Sequence, residues 1–293
     1  MQETTKQPRL TDAGYIRELL ERHGFHFSKK LGQNFLINPS VCPRMAEACG
    51  IGADGGVLEI GPGFGVLTRE LAQCAGKVVS VELDERLPAV LAETLAGQDN
   101  VKIVSGDCMK IDLHRLIAEE FGDRPVAVCA NLPYYITSPI IMMLLESRLP
   151  VENITGMVQK EAAQRLCAAP GTREAGAVTL AVQYYAEAET LFSVSRGSFM
   201  PAPNVDSAVI RLTVRKTPPC PVKDEAVMFR LIRAGFNQRR KTLLNSLTGA
   251  GYSKKQLTAA FAAAELSPTA RAEQLTLPQF AALADALAEA KIL

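Results

Sequence analysis

The chain has little of what marks membrane, secreted and metal-binding proteins. Its longest apolar stretch, residues 139–145, is far too short to cross a bilayer, and residues 1–7 contain no signal-peptide core. The seven cysteines are scattered and include no CxxC pair, which is typical of reduced thiols in a cytosol. The three histidines form no metal-binding pattern. We therefore expect a cytoplasmic protein with no metal and no membrane association.

The sequence also has almost no net charge, +1 over 293 residues, but the charges are unevenly distributed. Residues 1–50 carry +2, residues 51–195 carry −8, residues 196–255 carry +9, and residues 256–293 carry −2. A strongly basic block beside an acidic region fits an electrostatic footprint for nucleic-acid phosphates. The alternative interpretation of the block is a solvated helix face.

The order of the elements indicates an α/β fold. Through about residue 216 we expect seven strands alternating with helices, and the last two, 188–194 and 208–214, are expected to form an antiparallel hairpin that closes the sheet. Three prolines within 217–221 cannot continue a helix or a central strand, so this segment is predicted to be a linker. Helices are predicted beyond it at 224–237, 239–248, 254–264, 268–274 and 278–291.

These patterns predict two domains. The first comprises residues 1–216 and has a helical and loop extension at 1–50. The second, residues 217–293, is smaller and all-α. With 47% hydrophobic residues, a chain of this length can bury a substantial core.

Three successive strands are predicted to end in groups suited to a nucleoside. The first runs into residues 61–65, Gly-Pro-Gly-Phe-Gly, where glycines let the backbone approach a ligand closely. Its GxGxG spacing differs from the GxGxxG dinucleotide fingerprint. Glu82 ends the second strand and can accept both hydroxyls of a ribose, while Asp107 follows the third and can accept from an adenine amino group. Singly, these features could be a tight turn and two helix caps or solvated ends, but their agreement with the strand order favours a binding site.

Asn131-Leu132-Pro133-Tyr134 directly follows the apolar run 126–130, at the expected carboxyl end of a buried strand. In open α/β sheets the ligand crevice lies at that edge. Pro133 fixes its own φ and biases Leu132 toward an extended conformation, so the nearby carbonyl directions are set in advance. An amide oxygen and a carbonyl can accept two amine hydrogens while Tyr134 stacks on a flat ring. The alternative is an ordinary strand-to-helix turn with a hydrogen-bonded Asn and a packed Tyr.

At this point the sequence resembles a known family. The GxGxG turn, Glu82, Gly106-Asp107 and residues 131–134 are similar to S-adenosylmethionine-dependent adenine amino-methyltransferases. Leu-Gly-Gln-Asn-Phe-Leu at 31–36 and Phe-Met-Pro-Ala-Pro-Asn-Val-Asp-Ser at 199–207 narrow this to the ribosomal RNA adenine dimethylases. Phe-Asn-Gln-Arg-Arg-Lys-Thr-Leu at 236–243 and Arg-Ala-Glu-Gln-Leu at 271–275 resemble the KsgA/RsmA branch in particular.

The resemblance implies a Rossmann-like, seven-stranded methyltransferase domain that uses S-adenosylmethionine. It implies dimethylation of two adjacent adenosines near the 3′ end of 16S rRNA, within the small ribosomal subunit or its assembly intermediate. The expected cofactor-binding residues are Asn34, Leu36, Gly61, Glu82, Asp107 and Asn131. Residues 131–134 are expected to act on the adenine, and Asn34 and Leu36 to fold over the methionine end of the cofactor.

The target base must leave its stack to enter such a pocket. Tyr134, by position, and Phe199, by resemblance, are the expected stacking partners; the alternative for Phe199 is plain core packing, against which Pro201 and Pro203 favour a shaped loop. For RNA phosphates, we expect contacts from Arg239, Arg240 and Lys241 of the basic block. Lys29 and Lys30 are further candidates or are simply solvated; no site for a metal is expected.

Three functions remain open from the sequence: the small-subunit dimethylase, a related large-subunit dimethylase that confers antibiotic resistance, and a mainly non-catalytic ribosome-assembly factor. The segments 236–243 and 271–275 favour the first over the second. The intact residues 131–134, together with Glu82, favour retained chemistry. We expect a monomer.

Overall fold

The computed structural model describes residues 9–26, 33–238 and 240–290. It divides the chain into two compact units, one of residues 1–163 with 189–214 and one of residues 164–188 with 215–293. The second unit thus takes in a segment, 164–188, that lies well before the proline-rich stretch in the sequence. Among the residues described, no helix is long and apolar enough to cross a bilayer.

The first unit is built on a seven-stranded, mostly parallel sheet. The strands of the described chain are β1 (Phe35–Leu36), β2 (Gly56–Ile60), β3 (Lys77–Glu82), β4 (Val101–Ser105), β5 (Val126–Asn131), β6 (Asn153–Gln159), β7 (Ala186–Val194), β8 (Phe199–Met200) and β9 (Ser207–Val214). The order in the large sheet is β4-β3-β2-β5-β6-β9-β7. Strands β2 to β6 pair in parallel, and β9 pairs antiparallel with β6. This confirms the predicted fold class.

The sheet centre is buried on both faces. All five residues of β2 and the first five of β5 are buried. Burial on both faces explains why β5 is a continuous apolar run and why β2 is apolar apart from the buried Glu59, rather than alternating. Their register places Ile60 opposite Ala130 and Val81. Because parallel strands in register end together, residues 61, 82 and 131 meet at one edge of the sheet.

Helices cover both faces of the sheet and form the second unit. They are α1 (Ala13–Arg22), α2 (Val41–Ala48), α3 (Val66–Cys74), α4 (Leu87–Thr94), α5 (Leu113–Phe121), α6 (Thr137–Glu146), α7 (Lys160–Leu166), α8 (Ala177–Tyr185), α9 (Glu225–Phe236), α10 (Leu243–Gly249), α11 (Lys254–Ala263) and α12 (Leu277–Ala290). Aspartate side chains begin several of them: Asp12 accepts from the Tyr15 amide at 2.9 Å and Asp112 from the Arg115 amide at 3.0 Å. Such caps fix where the chain enters each helix.

A small ribbon and an aromatic cluster lie beside the large sheet. Strands β1 and β8 pair antiparallel, with Phe35 opposite Met200 and Leu36 opposite Phe199. The ring of Phe35 stacks on that of Phe64 in the glycine-rich turn, with centroids 3.9 Å apart. This stacking holds β1 against the turn, although the two segments are well separated in the sequence.

The second unit differs from the predicted helices in two places. Helix α10 begins at Leu243 rather than at 239, because the Thr242 hydroxyl caps it by accepting from the Asn245 amide at 3.3 Å. The helix predicted at 268–274 is wrong: a turn at residues 268–269 is followed by a single 3₁₀ turn, Ala272–Gln274. The Ala270 carbonyl accepts from the amide of Leu243 at 2.8 Å, so it is tied to α10.

That hydrogen bond joins the end of the segment 236–243 to the residue just before the segment 271–275. Gly235 in α9 lies so close to them that an added Cβ would meet Leu243 at 2.6 Å and Ala272 at 3.2 Å. Residues 236–243 and 271–275 therefore form one packed region of the second unit. Arg240 and Lys241 are exposed in the turn between α9 and α10.

Candidate active site

A cleft lies at the carboxyl edge of the parallel strands. The groups that follow four neighbouring strands line it: Gly61 after β2, Glu82 at the end of β3, Asp107 after β4 and Asn131 at the end of β5. Asn34 and Leu36 line it from the ribbon side, and Leu132, Pro133 and Tyr134 line it beyond Asn131. The structure thus brings together all the residues expected to bind a cofactor and four of the five expected to act on the base.

The glycine-rich turn leaves open space above its first residue. Gly61 has φ +71°, a conformation that L side chains rarely adopt, and an added Cβ would meet nothing within 4 Å. At Gly63, φ +57°, an added Cβ would approach the ring of Phe35 at 3.0 Å. The turn therefore needs glycine for two reasons: to adopt the positive φ at 61, where open space lies above the backbone, and to let Phe35 pack at 63.

Glu82 is almost enclosed, with 6% of its surface exposed. One carboxylate oxygen accepts from the amide of Asp84 at 2.8 Å and the other from the amide of Gly63 at 3.3 Å. Burial raises the pKa of Glu82 above its ordinary value, and these two hydrogen bonds oppose that rise. Each oxygen retains a lone pair, so the carboxylate can still accept two hydroxyl groups.

A second layer of polar contacts supports Glu82. The Asp84 carboxylate accepts from Gln33 Nε2 at 2.8 Å and from the Arg86 guanidinium at 2.6 and 2.8 Å. The hydrogen bond from Arg86 holds the pKa of Asp84 below its usual value. Gln33 also lines the cleft, so this contact ties the segment before β1 to the end of β3.

Asp107 is held in a local turn at the rim. Its Oδ1 accepts from the Met109 amide at 3.0 Å, and its Oδ2 lies 3.7 Å from Lys110 Nζ. Gly106 precedes it with φ +156°. The carboxylate remains partly exposed to the cleft, as an acceptor for a ligand requires.

Asn131 and Leu132 present two acceptors next to each other. Asn131 Nδ2 donates to the Asn34 carbonyl at 3.4 Å, which leaves its amide oxygen to accept from a ligand. The Leu132 amide donates to the Met157 carbonyl at 3.1 Å, while its own carbonyl receives no hydrogen bond from any described residue. The Pro133 carbonyl, by contrast, accepts from the Ile136 amide and the Thr137 hydroxyl. The Leu132 carbonyl, and not the Pro133 carbonyl, is thus available to an amine.

Tyr134 is fixed by a hydrogen bond from its far end. Its hydroxyl lies 2.6 Å from the Ser207 hydroxyl at the start of β9. Burial raises the pKa of the Tyr134 phenol, which therefore stays neutral at physiological pH. The contact orients the ring at the wall of the cleft.

Phe199, the fifth residue expected to act on the base, does not line the cleft. It is 3% exposed and belongs to the apolar core with Leu36, Met157 and Val209, outside the residues that line the cleft. Its ribbon partner Leu36 lines the cleft, whereas Phe199 itself is packed in that core. Lys29, Lys30 and Arg239 lie outside the described residues.

Several apolar residues of the cleft were missed from the sequence, and two of them are exposed shortly after the predicted acids. Leu83 and Met109 line its mouth and are 49% and 38% exposed, respectively. Each follows shortly after a strand-terminal acid, Glu82 or Asp107, and that position was the available signal. Exposed apolar side chains on the rim of a polar cleft suit a flat ring placed between them. In the described part of the chain, no group of three or more His, Cys, Asp or Glu side chains could hold a metal ion.

A Rossmann-like sheet with these strand-terminal groups defines a class, the nucleoside-binding methyltransferases of α/β fold. Residues 24–289 match the model of a family described as ribosomal RNA adenine dimethylase. The chain belongs to the ribosomal RNA adenine dimethylase family.

Similar proteins agree with this assignment. The chain is 51% identical over 279 residues to the ribosomal RNA small subunit methyltransferase A of Geobacillus thermodenitrificans, covering 94% of this chain and 95% of the relative. It is 46% identical over 276 residues to the protein of the same name from Bacillus mycoides, covering 92% and 94%. Among solved structures, a dimethyladenosine transferase from Plasmodium falciparum is similar with TM-score 0.71, 26% identity and coverage of 85% and 95%. The 23S rRNA methyltransferase ErmE is similar with TM-score 0.66, 30% identity and coverage of 87% and 100%.

Proposed function

We propose that the protein dimethylates the exocyclic amino groups of two adjacent adenosines near the 3′ end of 16S rRNA, in the small ribosomal subunit or its assembly intermediate. The methyl donor is S-adenosylmethionine. The observation that carries the chemistry is the pair of acceptors, Asn131 Oδ1 and the Leu132 carbonyl, at the same sheet edge as Glu82 and Asp107. The family and the small-subunit relatives support the choice of RNA.

The cleft fits the proposed cofactor. The open space above Gly61 accommodates a ligand against the backbone, and Glu82 has acceptor capacity for the two ribose hydroxyls. Asp107 accepts from the adenine amino group, and Leu83 and Met109 offer apolar surface for the adenine ring. Asn34 and Leu36 line the cleft from the ribbon side and take the methionine end. When bound, S-adenosylmethionine supplies an electrophilic methyl group.

The residues at 131 and 132 overcome the weak nucleophilicity of the substrate. The lone pair of an adenine amino group is delocalised into the ring. Two acceptors that hold both amino hydrogens favour a pyramidal nitrogen, whose lone pair is then directed out of the ring plane. Fixing the amine in this geometry also supplies the rate gain of proximity. Asn131 is neutral, so it orients the amine without forming an ion pair with a sulfonium.

The substrate base must be unstacked to reach these acceptors. Tyr134, held by Ser207, offers the ring face on which it stacks. We retain Phe199 as a second stacking candidate; since it is 3% exposed, that role requires the β8 segment to move when RNA binds. A monomethylated amine retains one hydrogen for these acceptors and can react again.

RNA phosphates are bound by the second unit in this proposal. Arg240 and Lys241 are exposed in the turn before α10, within the packed region formed by the segments 236–243 and 271–275. Arg239, Lys29 and Lys30 are proposed to contribute as well. We propose that the protein acts as a monomer in the cytoplasm.

The competing assignment is a large-subunit dimethylase. The similarity to the 23S rRNA methyltransferase ErmE supports it, but the identity is 30%, against 51% for the small-subunit relative. Purified protein is given S-adenosylmethionine and either small subunits whose two target adenosines are unmethylated or naked large-subunit rRNA. We expect two methyl groups on each of two adjacent adenosines of the small subunit. Methylation of large-subunit RNA alone would support the competing assignment. Methylation of neither, with normal cofactor binding, would indicate a non-catalytic assembly factor.

A further inference from the structure

Asp206 joins two distant segments of the first unit next to the substrate end of the cleft. Its carbonyl accepts from the amide of Lys160 at 3.0 Å, and its carboxylate accepts from the amide of Arg196 at 2.9 Å. The next residue, Ser207, is the one that contacts the Tyr134 hydroxyl at 2.6 Å. Two cationic residues are thus tethered within one residue of the group that fixes the stacking tyrosine.

The side chains of Lys160 and Arg196 are exposed, and neither forms an ion pair with a described residue. Cations at the cofactor end differ in this respect. Lys110 lies 3.7 Å from Asp107, and Arg86 donates to Asp84 at 2.6 Å. The carboxylates that bind or support the cofactor therefore offset the cations beside them, whereas the cations at the substrate end remain available to an external anion.

We propose that Lys160 and Arg196 form a phosphate-binding subsite for the RNA backbone that flanks the adenosine in the cleft. The inference rests on the proposed function, because a base held against Tyr134 brings its own phosphates to the neighbouring surface. Guanidinium and ammonium groups on flexible stems bind phosphate by charge-assisted hydrogen bonds. The subsite positions the target strand on the catalytic unit itself, separately from the basic residues of the second unit.

Two carboxylates lie close to Lys160 and Arg196, and they differ in their effect on a bound phosphate. One carboxylate oxygen of Asp206 accepts from the backbone amide of Arg196, and this hydrogen bond fixes the position of Arg196 in the subsite. Glu161, exposed on the first turn of α7, follows Lys160 directly and repels a phosphate. The proposal therefore predicts effects of opposite sign: neutralising Lys160 and Arg196 weakens RNA binding, and neutralising Glu161 strengthens it.

The test compares two double variants with the same change in charge. The first is Lys160→Gln with Arg196→Gln. The control is Lys102→Gln with Arg124→Gln; these exposed cations lie in β4 and just before β5, away from the cleft-lining residues. Binding to isolated small subunits is measured over a range of salt concentrations, and cofactor binding is measured by calorimetry.

The Lys160/Arg196 variant should raise the dissociation constant for the subunit about 2- to 30-fold, the scale of removing two exposed ion pairs. It should also flatten the log–log salt slope by about 1.4, at roughly 0.7 per phosphate contact. In methyl-transfer assays KM should rise while kcat stays near wild type, and cofactor affinity should not change. Glu161→Gln should lower the dissociation constant.

Equal salt slopes in the test and control variants would overturn the proposal, as would a normal KM for the subunit. Failure of the wild-type protein to methylate small subunits would instead contradict the proposed function. Because the binding measurement needs no turnover, the variants can then be compared on a single-stranded, adenosine-containing RNA. A lower slope for the Lys160/Arg196 variant supports the subsite, and an unchanged slope rejects it.

Discussion

Replacement of Glu82 by alanine tests the cofactor site most directly. In the folded protein each oxygen of this carboxylate already accepts one backbone amide, from Asp84 at 2.8 Å and from Gly63 at 3.3 Å. The remaining lone pairs are the ones assigned to the two ribose hydroxyls. Glu82→Ala removes both ligand contacts at once, and it leaves two backbone amides without acceptors.

The expected loss of cofactor affinity follows from these contacts. Loss of the hydrogen bonds from the ribose hydroxyls to this mostly buried carboxylate should weaken cofactor binding by about 1–3 kcal/mol in total. That corresponds to a rise in the dissociation constant of roughly 5- to 150-fold. The unpaired amides of Gly63 and Asp84 cost folding stability separately, about 1–3 kcal/mol each at full burial.

The two effects are separated by two measurements and two further variants. Calorimetry gives the dissociation constant, and thermal unfolding without cofactor gives the stability. Glu82→Gln keeps an amide oxygen and the side-chain volume, so it should lose less stability than Glu82→Ala while still binding cofactor more weakly. Glu85→Ala, which removes an exposed carboxylate three residues away, is the control for net charge. A folded Glu82→Ala protein whose dissociation constant stays within about twofold of wild type, well below the expected change, would remove Glu82 from the cofactor site.

Three other predictions test the chemistry, the RNA contacts and the core. Asn131→Ala should abolish most methyl transfer but leave small-subunit binding nearly intact in filter-binding assays; a parallel decline of both would refute its role toward the amine. Neutralising Arg239, Arg240 and Lys241 should flatten the salt dependence of subunit binding by roughly 0.7–0.9 for each phosphate interaction that is removed, with cofactor affinity unchanged; an unaltered slope would make the basic block a solvated face. Burial raises the pKa of Glu59 from 4.5 to about 7, so the folded state binds the extra proton and stability should fall as pH rises from about 4.5 to about 7. Glu59→Gln should flatten that part of the denaturation profile, and an identical pH dependence in both proteins would contradict the raised pKa.

The order of the cleft-lining groups could be predicted because it depends on local patterns. Continuous apolar runs identify strands that are buried on both faces, and a parallel sheet brings the residues that follow them to one edge. The glycine-rich turn, Glu82, Asp107 and Asn131 therefore needed no knowledge of distant contacts. The helix predicted at 268–274 failed for the opposite reason: Ala270 bonds to Leu243, and local propensity contains no information about that partner.

The sequence by itself determined the family, the succession of strands from β2 to β5 and the residues at each strand end, since each rests on neighbours in the chain. Strand β1 was not predicted, because it forms only by pairing with the distant β8. The tertiary structure alone decided which side chains support the residues at the strand ends. Gln33 reaches Asp84 across 51 residues, Tyr134 meets Ser207 across 73, and the Asp206 carboxylate accepts from the Arg196 amide. The grouping of 164–188 with the second unit is likewise a tertiary result. Such pairs form because packing brings distant segments together. The periodicity and the propensities of the local sequence do not specify the long-range partner of a side chain.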